Sequence, residues 1–218
     1  MNELDEQVDS PAERTPRTRW IWRPRLRLVD MFWLTLLAAI LVIWYQDRQR
    51  LLLKLSGPTQ IRGASWSIDQ LLGKPNTPLS GDRATAWAPR GRDAGIQWVI
   101  AEFPKVVDVA SVEIIETYNP GAIVAISSVS AAGLATEIWS GTDPIKPVAG
   151  MGTSVIKPSV AVHTRRIKIK LDTSKVPGWN EIDAVSIRDS NGKVQWASRA
   201  WSSSSYGKNR EPPSWFWP

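Results

Sequence analysis

The sequence predicts an all-β domain, an eight-stranded antiparallel sandwich, preceded by one transmembrane α-helix. Three observations carry this reading. A single uninterrupted apolar run stands near the start, at 31–45. Behind it the apolar residues recur in short, two-residue-period stretches separated by Pro and Gly, and helical periodicity is nearly absent. The composition, 43% apolar and 22% charged over 218 residues, is that of a chain able to bury a sizeable core.

The first 27 residues divide by charge. Residues 1–13 carry five acids and no base, and residues 14–27 carry six arginines and no acid. With few apolar residues before Trp20, this segment is expected to be a disordered tail. The run MFWLTLLAAILVIWY follows, with Thr35 its only polar member. Extended back to Leu28 it holds 18 residues, roughly 27 Å of helix, which matches a thin hydrocarbon layer. Trp20, Trp22 and Trp33 on one side and Trp44 and Tyr45 on the other suit the two interfacial belts. A buried helix of a soluble core is the competing reading. A cleaved signal peptide is disfavoured by the long preceding segment and by the bulk of Ile43, Trp44 and Tyr45.

Arginine placement sets the expected orientation. Six arginines precede the span, against Arg48, Arg50 and Lys54 just after it, so the N-terminus is expected in the cytoplasm and the C-terminal domain outside. That placement accounts for the arginines without a nucleic acid, and contact with anionic headgroups is a natural secondary role. The expected organisation is then a tail at 1–27, a membrane helix at 28–45, a linker at 46–63, a β-domain at 64–206 and an aromatic tail at 207–218.

Within the domain, residues 67–72 read as a short helix and strands are predicted at 97–103, 109–115, 122–127, 136–139, 166–171, 182–188 and 194–197. In the clearest, Ile167, Ile169 and Leu171 share one face and Lys168 and Lys170 the other, as in a strand with one side in the core. Turn signals at Pro104-Lys105, Asn119-Pro120-Gly121, Val176-Pro177-Gly178 and Ser190-Asn191-Gly192 separate them.

The order GASWSIDQLLGKPNT, AWAP, QWVIAEFPK, VEIIETYNPGAIVAIS, RIKIKLDT and VPGWNEIDAVSI resembles the discoidin-like, galactose-binding-like jelly rolls. The likeness is strongest to a bacterial branch with ETYNPGA and VPGWNEIDAV segments, and it covers about residues 64–206. It implies a jelly-roll sandwich that binds or adheres without catalysis, with ligands met by loops at one end. The chain lacks the cysteine pair that ties the termini of better-studied members, and no ligand motif carries over.

If strands alternate in direction, one end of the sandwich gathers Asp82, Arg83, Trp87, Arg90, Arg92, Glu116, Tyr118 and Asn119, together with the 141–162 connection. Carboxylates, guanidinium groups, an amide and flat rings are the groups that stack on a sugar or grip a peptide, and a glycan or envelope polymer is the expected ligand. The competing reading makes Asn119-Pro120-Gly121 a plain turn, Glu116 an acceptor for loop amides and Trp87 a core plug. The same alternation puts Trp179, Asn180 and Glu181 at the opposite end, as a structural corner.

Catalytic and metal chemistry find little support. There is no cysteine and one histidine, His163, which beside Arg165 and Arg166 reads as a surface residue. No nucleophile elbow or phosphate-binding glycine loop occurs, and Gly150-Met151-Gly152 lacks the strand and helix such a loop needs. No cofactor is expected; a structural calcium held by Asp82 or Asp93 is the one allowance. Trp215, Phe216 and Trp217 are read either as a docking point for a protein partner or membrane interface, or as a cover over the sandwich. The expectation is a membrane-anchored, non-catalytic binding module for a glycan, with an assembly subunit of an envelope complex as its rival and a hydrolase a distant third.

Overall fold

A computed structural model describes residues 28–55, 62–146, 150–211 and 213–214, with side chains from 62 onward and at 28–48. The acidic-then-basic tail and Trp215, Phe216 and Trp217 lie outside the described residues. The chain forms two units, divided after Arg48.

Helix α1 (Leu28–Leu55) begins in the first unit, continues well past the predicted 28–45 and takes up much of the predicted linker. Its segment Leu28–Arg48, 21 residues, is long and apolar enough to cross a membrane, and none of it is buried by protein. At about 1.5 Å per residue it reaches roughly 32 Å. Apolar side chains surround it without a polar face, the pattern of a helix whose solvent is hydrocarbon. Thr35 donates its hydroxyl to the Phe32 carbonyl at 2.9 Å, so that hydroxyl is satisfied within the helix. Arg48 caps the span by lying over the Trp44 ring, 5.3 Å from its centroid.

The second unit is an eight-stranded antiparallel sandwich-like domain. Its strands are β1 (Ile96–Tyr118), β2 (Ile123–Val129), β3 (Ala135–Ser140), β4 (Gly152–Ile156), β5 (His163–Asp172), β6 (Glu181–Asp189), β7 (Val194–Trp196) and β8 (Arg199–Ser202). Two layers share β1. Its first half lies between β5 and β8 in a layer ordered β3-β2-β5-β1-β8. Its second half lies between β4 and β6 in a layer ordered β4-β1-β6-β7. Val99, Ala101, Ile126, Ile167 and Ile169 from the first layer meet Val112, Ile114, Ile156, Val185 and Ile187 from the second in one core.

Two predicted strands, 97–103 and 109–115, are thus a single strand. Pro104 does not end it, because it sits where pairing with β5 slips, between Glu102 and Val107. A residue without an N–H costs nothing at such a gap. The chain changes layer there, and the Lys105 amide donates to the Gln195 side-chain oxygen at 2.9 Å.

β4 and β8 were not predicted. β4 has functional consequences, because one added strand reverses the direction of everything after it. Asp172 therefore pairs beside Ile96, and Glu181 pairs with Tyr118. The segment 173–180 lies at the same end as the break at 119–121, contrary to the expected opposite end for Trp179, Asn180 and Glu181.

Candidate functional site

That shared end is held together by backbone geometry. Asn119 adopts a left-handed conformation (φ 45°) and Gly121 follows at φ 113°. The Asn119 side chain donates to the Trp179 carbonyl at 3.0 Å, and its own carbonyl accepts from the Asn180 side chain at 2.6 Å. Gly178, at φ 105°, is required by contact as well as conformation: an added Cβ would stand 2.5 Å from the Asn119 amide nitrogen. The Gly178 amide donates to Asp93 at 2.7 Å. Two Pro-Gly turns are thereby locked to one another, and Trp179 is fixed beside them.

Three further segments meet β6 here. Trp87 exchanges both backbone bonds with Ile182, at 2.8 and 3.0 Å. Trp66, held at φ 50°, offers its carbonyl to the Gly207 amide and the Ser205 hydroxyl, while the Tyr206 amide donates to the Ala88 carbonyl at 2.9 Å. At Gly207 any side chain would collide with the Ser65 carbonyl, 2.0 Å from the Cβ position. The C-terminal segment can therefore lie flat on the loop that presents Trp66.

The result is a cleft of about 150 Å³ lined by Trp66, Asp82, Ala88, Trp179, Glu181 and Tyr206. Tyr206, 58% exposed, stands edge-on to both indoles: 5.7 Å and 76° from Trp66, 6.0 Å and 84° from Trp179. The Trp66 indole N–H donates to Asp82 at 2.8 Å. Glu181 is only 1% exposed and accepts the Arg83 amide at 3.0 Å. Burial pushes its carboxyl up to about 8, the Arg83 amide pulls the other way, and the neighbouring Asp82 adds to the rise. The Trp179 indole N–H is buried without a hydrogen-bond partner.

The residues expected at the rim divide. Asp82 belongs to the cleft, and Arg83 contributes its backbone amide while its side chain turns to the Ser80 carbonyl. Arg90 and Arg92 are exposed; Arg90 binds Ser204 through its amide, and Arg92 pairs with Asp93 at 3.1 Å. Tyr118 and Asn119 are half-buried at the locked turn. Trp87 is fully buried, with its indole N–H on the Ser204 carbonyl, and so takes the place of a core plug. Glu116 is also interior. Its carboxylate accepts from Ser154, whose hydroxyl also contacts Asp143. Asp143 in turn receives the amides of Ile123 and Ile145, each at 3.0 Å. Burial first, then the Asp143 charge, pushes Glu116 up to about 8.

Trp66, Trp179, Glu181 and Tyr206 were not expected at this site. Trp179 and Glu181 were displaced by the missing strand, and no spacing rule links Trp66 to Tyr206 across 140 residues. Among the described residues no three histidine or acidic side chains converge as metal ligands, and Asp93 spends its oxygens on Gly178 and Arg92. His163 forms an exposed pair with Asp108 at 2.8 Å. The chain matches no protein-family model and no curated protein sequence.

Proposed function

We propose that this protein is a single-pass membrane-anchored recognition module, non-catalytic, whose discoidin-like domain faces outward and seats a saccharide of the cell envelope in the Trp66–Trp179–Tyr206 cleft. One observation carries the reading: Tyr206 stands edge-on to both Trp66 and Trp179 beside a carboxyl pair, on a framework locked from four chain segments. Aromatic faces take up the apolar face of a sugar ring, and carboxyls accept from its hydroxyls. The cleft volume suits about one monosaccharide ring. The arginine bias before α1 supports the outward orientation.

A second reading has its own support. Tyr206 in the cleft, with Leu134 and Val160 at 72% and 56% exposure elsewhere on the domain, would equally suit a protein partner in an envelope assembly. Full-length protein in nanodiscs, screened against envelope oligosaccharides, separates the two. Saccharide binding at millimolar or better that is lost in Tyr206→Ala supports the first. A stoichiometric protein partner captured without any saccharide affinity supports the second. A reporter fused after Pro218 that is active only in the cytosol overturns the outward placement in both.

A further inference from the structure

We infer that the ligand of this cleft is a saccharide bearing a free ammonium group, its ring against the indoles and its nitrogen on Asp82 and Glu181. The inference rests on the saccharide reading above and narrows it. Two acids share one small cleft, and among the described residues no lysine, arginine or histidine forms an ion pair with either.

Several of the domain's other carboxylates are held by arginines, and where a buried pair is not, at Glu116 and Asp143, a serine hydroxyl and two backbone amides serve instead. Glu102 is met by Arg165, Arg166 and Arg199, Glu113 by Arg188, and Asp69 by Arg210. At the cleft even the nearest cation in sequence, Arg83, turns its side chain to the Ser80 carbonyl and leaves only its amide for Glu181.

The aromatic lining points the same way. Ring faces attract cations as well as sugar C–H groups, and Tyr206, near-perpendicular to each of the two indoles, lines the same cleft with them. Asp82 is already fixed by the Trp66 indole N–H, so its remaining lone pairs are oriented before a ligand arrives. An ammonium group supplies three donors on a compact charge, which matches two adjacent acceptor groups. Entry of the cation also favours the ionised form of Glu181, so binding releases a proton to solvent. A neutral or N-acetylated sugar offers no charge to either acid.

The test uses full-length protein in zwitterionic nanodiscs and calorimetric titration with two probes of equal length, a glucosamine oligosaccharide and its N-acetylated counterpart, at a pH where the amine is charged. The amino form is expected to bind at least about tenfold more tightly, the scale of one charge-assisted contact. Asp82→Asn keeps an acceptor for Trp66 and should erase most of that preference, bringing the affinity of the amino probe down towards that of the N-acetylated one. Glu181→Gln, which copies the shape of the protonated acid, should do the same. Equal affinity for the two probes overturns the ammonium assignment and leaves the saccharide reading standing. A preference that survives both substitutions also overturns it, because the charge is then read elsewhere. Binding of neither probe removes the saccharide reading along with it.

Discussion

Glu116 and Glu181 invite comparison, since the fold treats them almost alike and uses them differently. Each is 1% exposed, each carboxyl is raised to about 8 by burial, and each has an aspartate beside it. Around Glu116 the partners are internal: Ser154 on β4, and Asp143 tied to the amides of Ile123 and Ile145. That cluster staples the end of β1 to β4 and to the 141–146 segment. Around Glu181 the Arg83 amide is an internal partner, but Asp82 is exposed, and rings with open space between them line the rest of the cleft. A raised carboxyl therefore does not mark a site in this protein; desolvation produces it in both places. Access and an aromatic wall separate the site from the staple.

The sharpest way to break this contrast is to cut the staple. Asp143→Ala leaves the buried Ile123 amide and the half-buried Ile145 amide without their acceptor, and should cost about 2–4 kcal/mol in denaturant unfolding of the β-domain. Ligand affinity of the folded fraction should stay the same. Acidity tests the shared feature next. A carboxyl whose folded value is raised above its ordinary one favours the native state at low pH, and that contribution drains away as pH climbs through the folded value. The melting temperature should thus fall between about pH 4.5 and 8, and Glu116→Gln should flatten part of the fall. A flat profile in the unsubstituted protein would contradict the burial of both glutamates.

Smaller effects belong to the cleft. Tyr206→Ala removes two edge contacts from a largely exposed ring, so its cost should be about 1 kcal/mol in stability while saccharide binding drops below detection. Asp82→Asn should shift stability by no more than about 0.5 kcal/mol. If it destabilises as much as Asp143→Ala, the cleft carboxyls are a second staple and the distinction fails.

Particular residues show where reading along the chain succeeds. The apolar run from Leu28 is unmistakable because a lipid-facing helix needs no partner to explain its pattern. Ile167, Ile169 and Leu171 alternate because one face of β5 is buried, and all three are indeed in the core. Asn119-Pro120-Gly121 breaks the chain through its own backbone preferences. By contrast β4 is five residues, opens on glycine and has only Val155 and Ile156 as large apolar residues, with Val155 exposed. It is a strand because β1 offers it an edge, which no local signal announces. Missing it reversed the parity of β5 and β6 and moved Trp179 and Glu181 to the wrong end.

The amino-acid sequence by itself determined the apolar helix, the all-strand character of the remainder and the turns, since these follow from side-chain hydrophobicity and backbone freedom within a few residues. Tertiary structure alone decided which carboxyl became a staple and which came to line the aromatic cleft. That choice depends on Trp66, Asp82, Glu181 and Tyr206 meeting across long loops, and such meetings are set by strand pairing and core packing, whose energies belong to the whole domain.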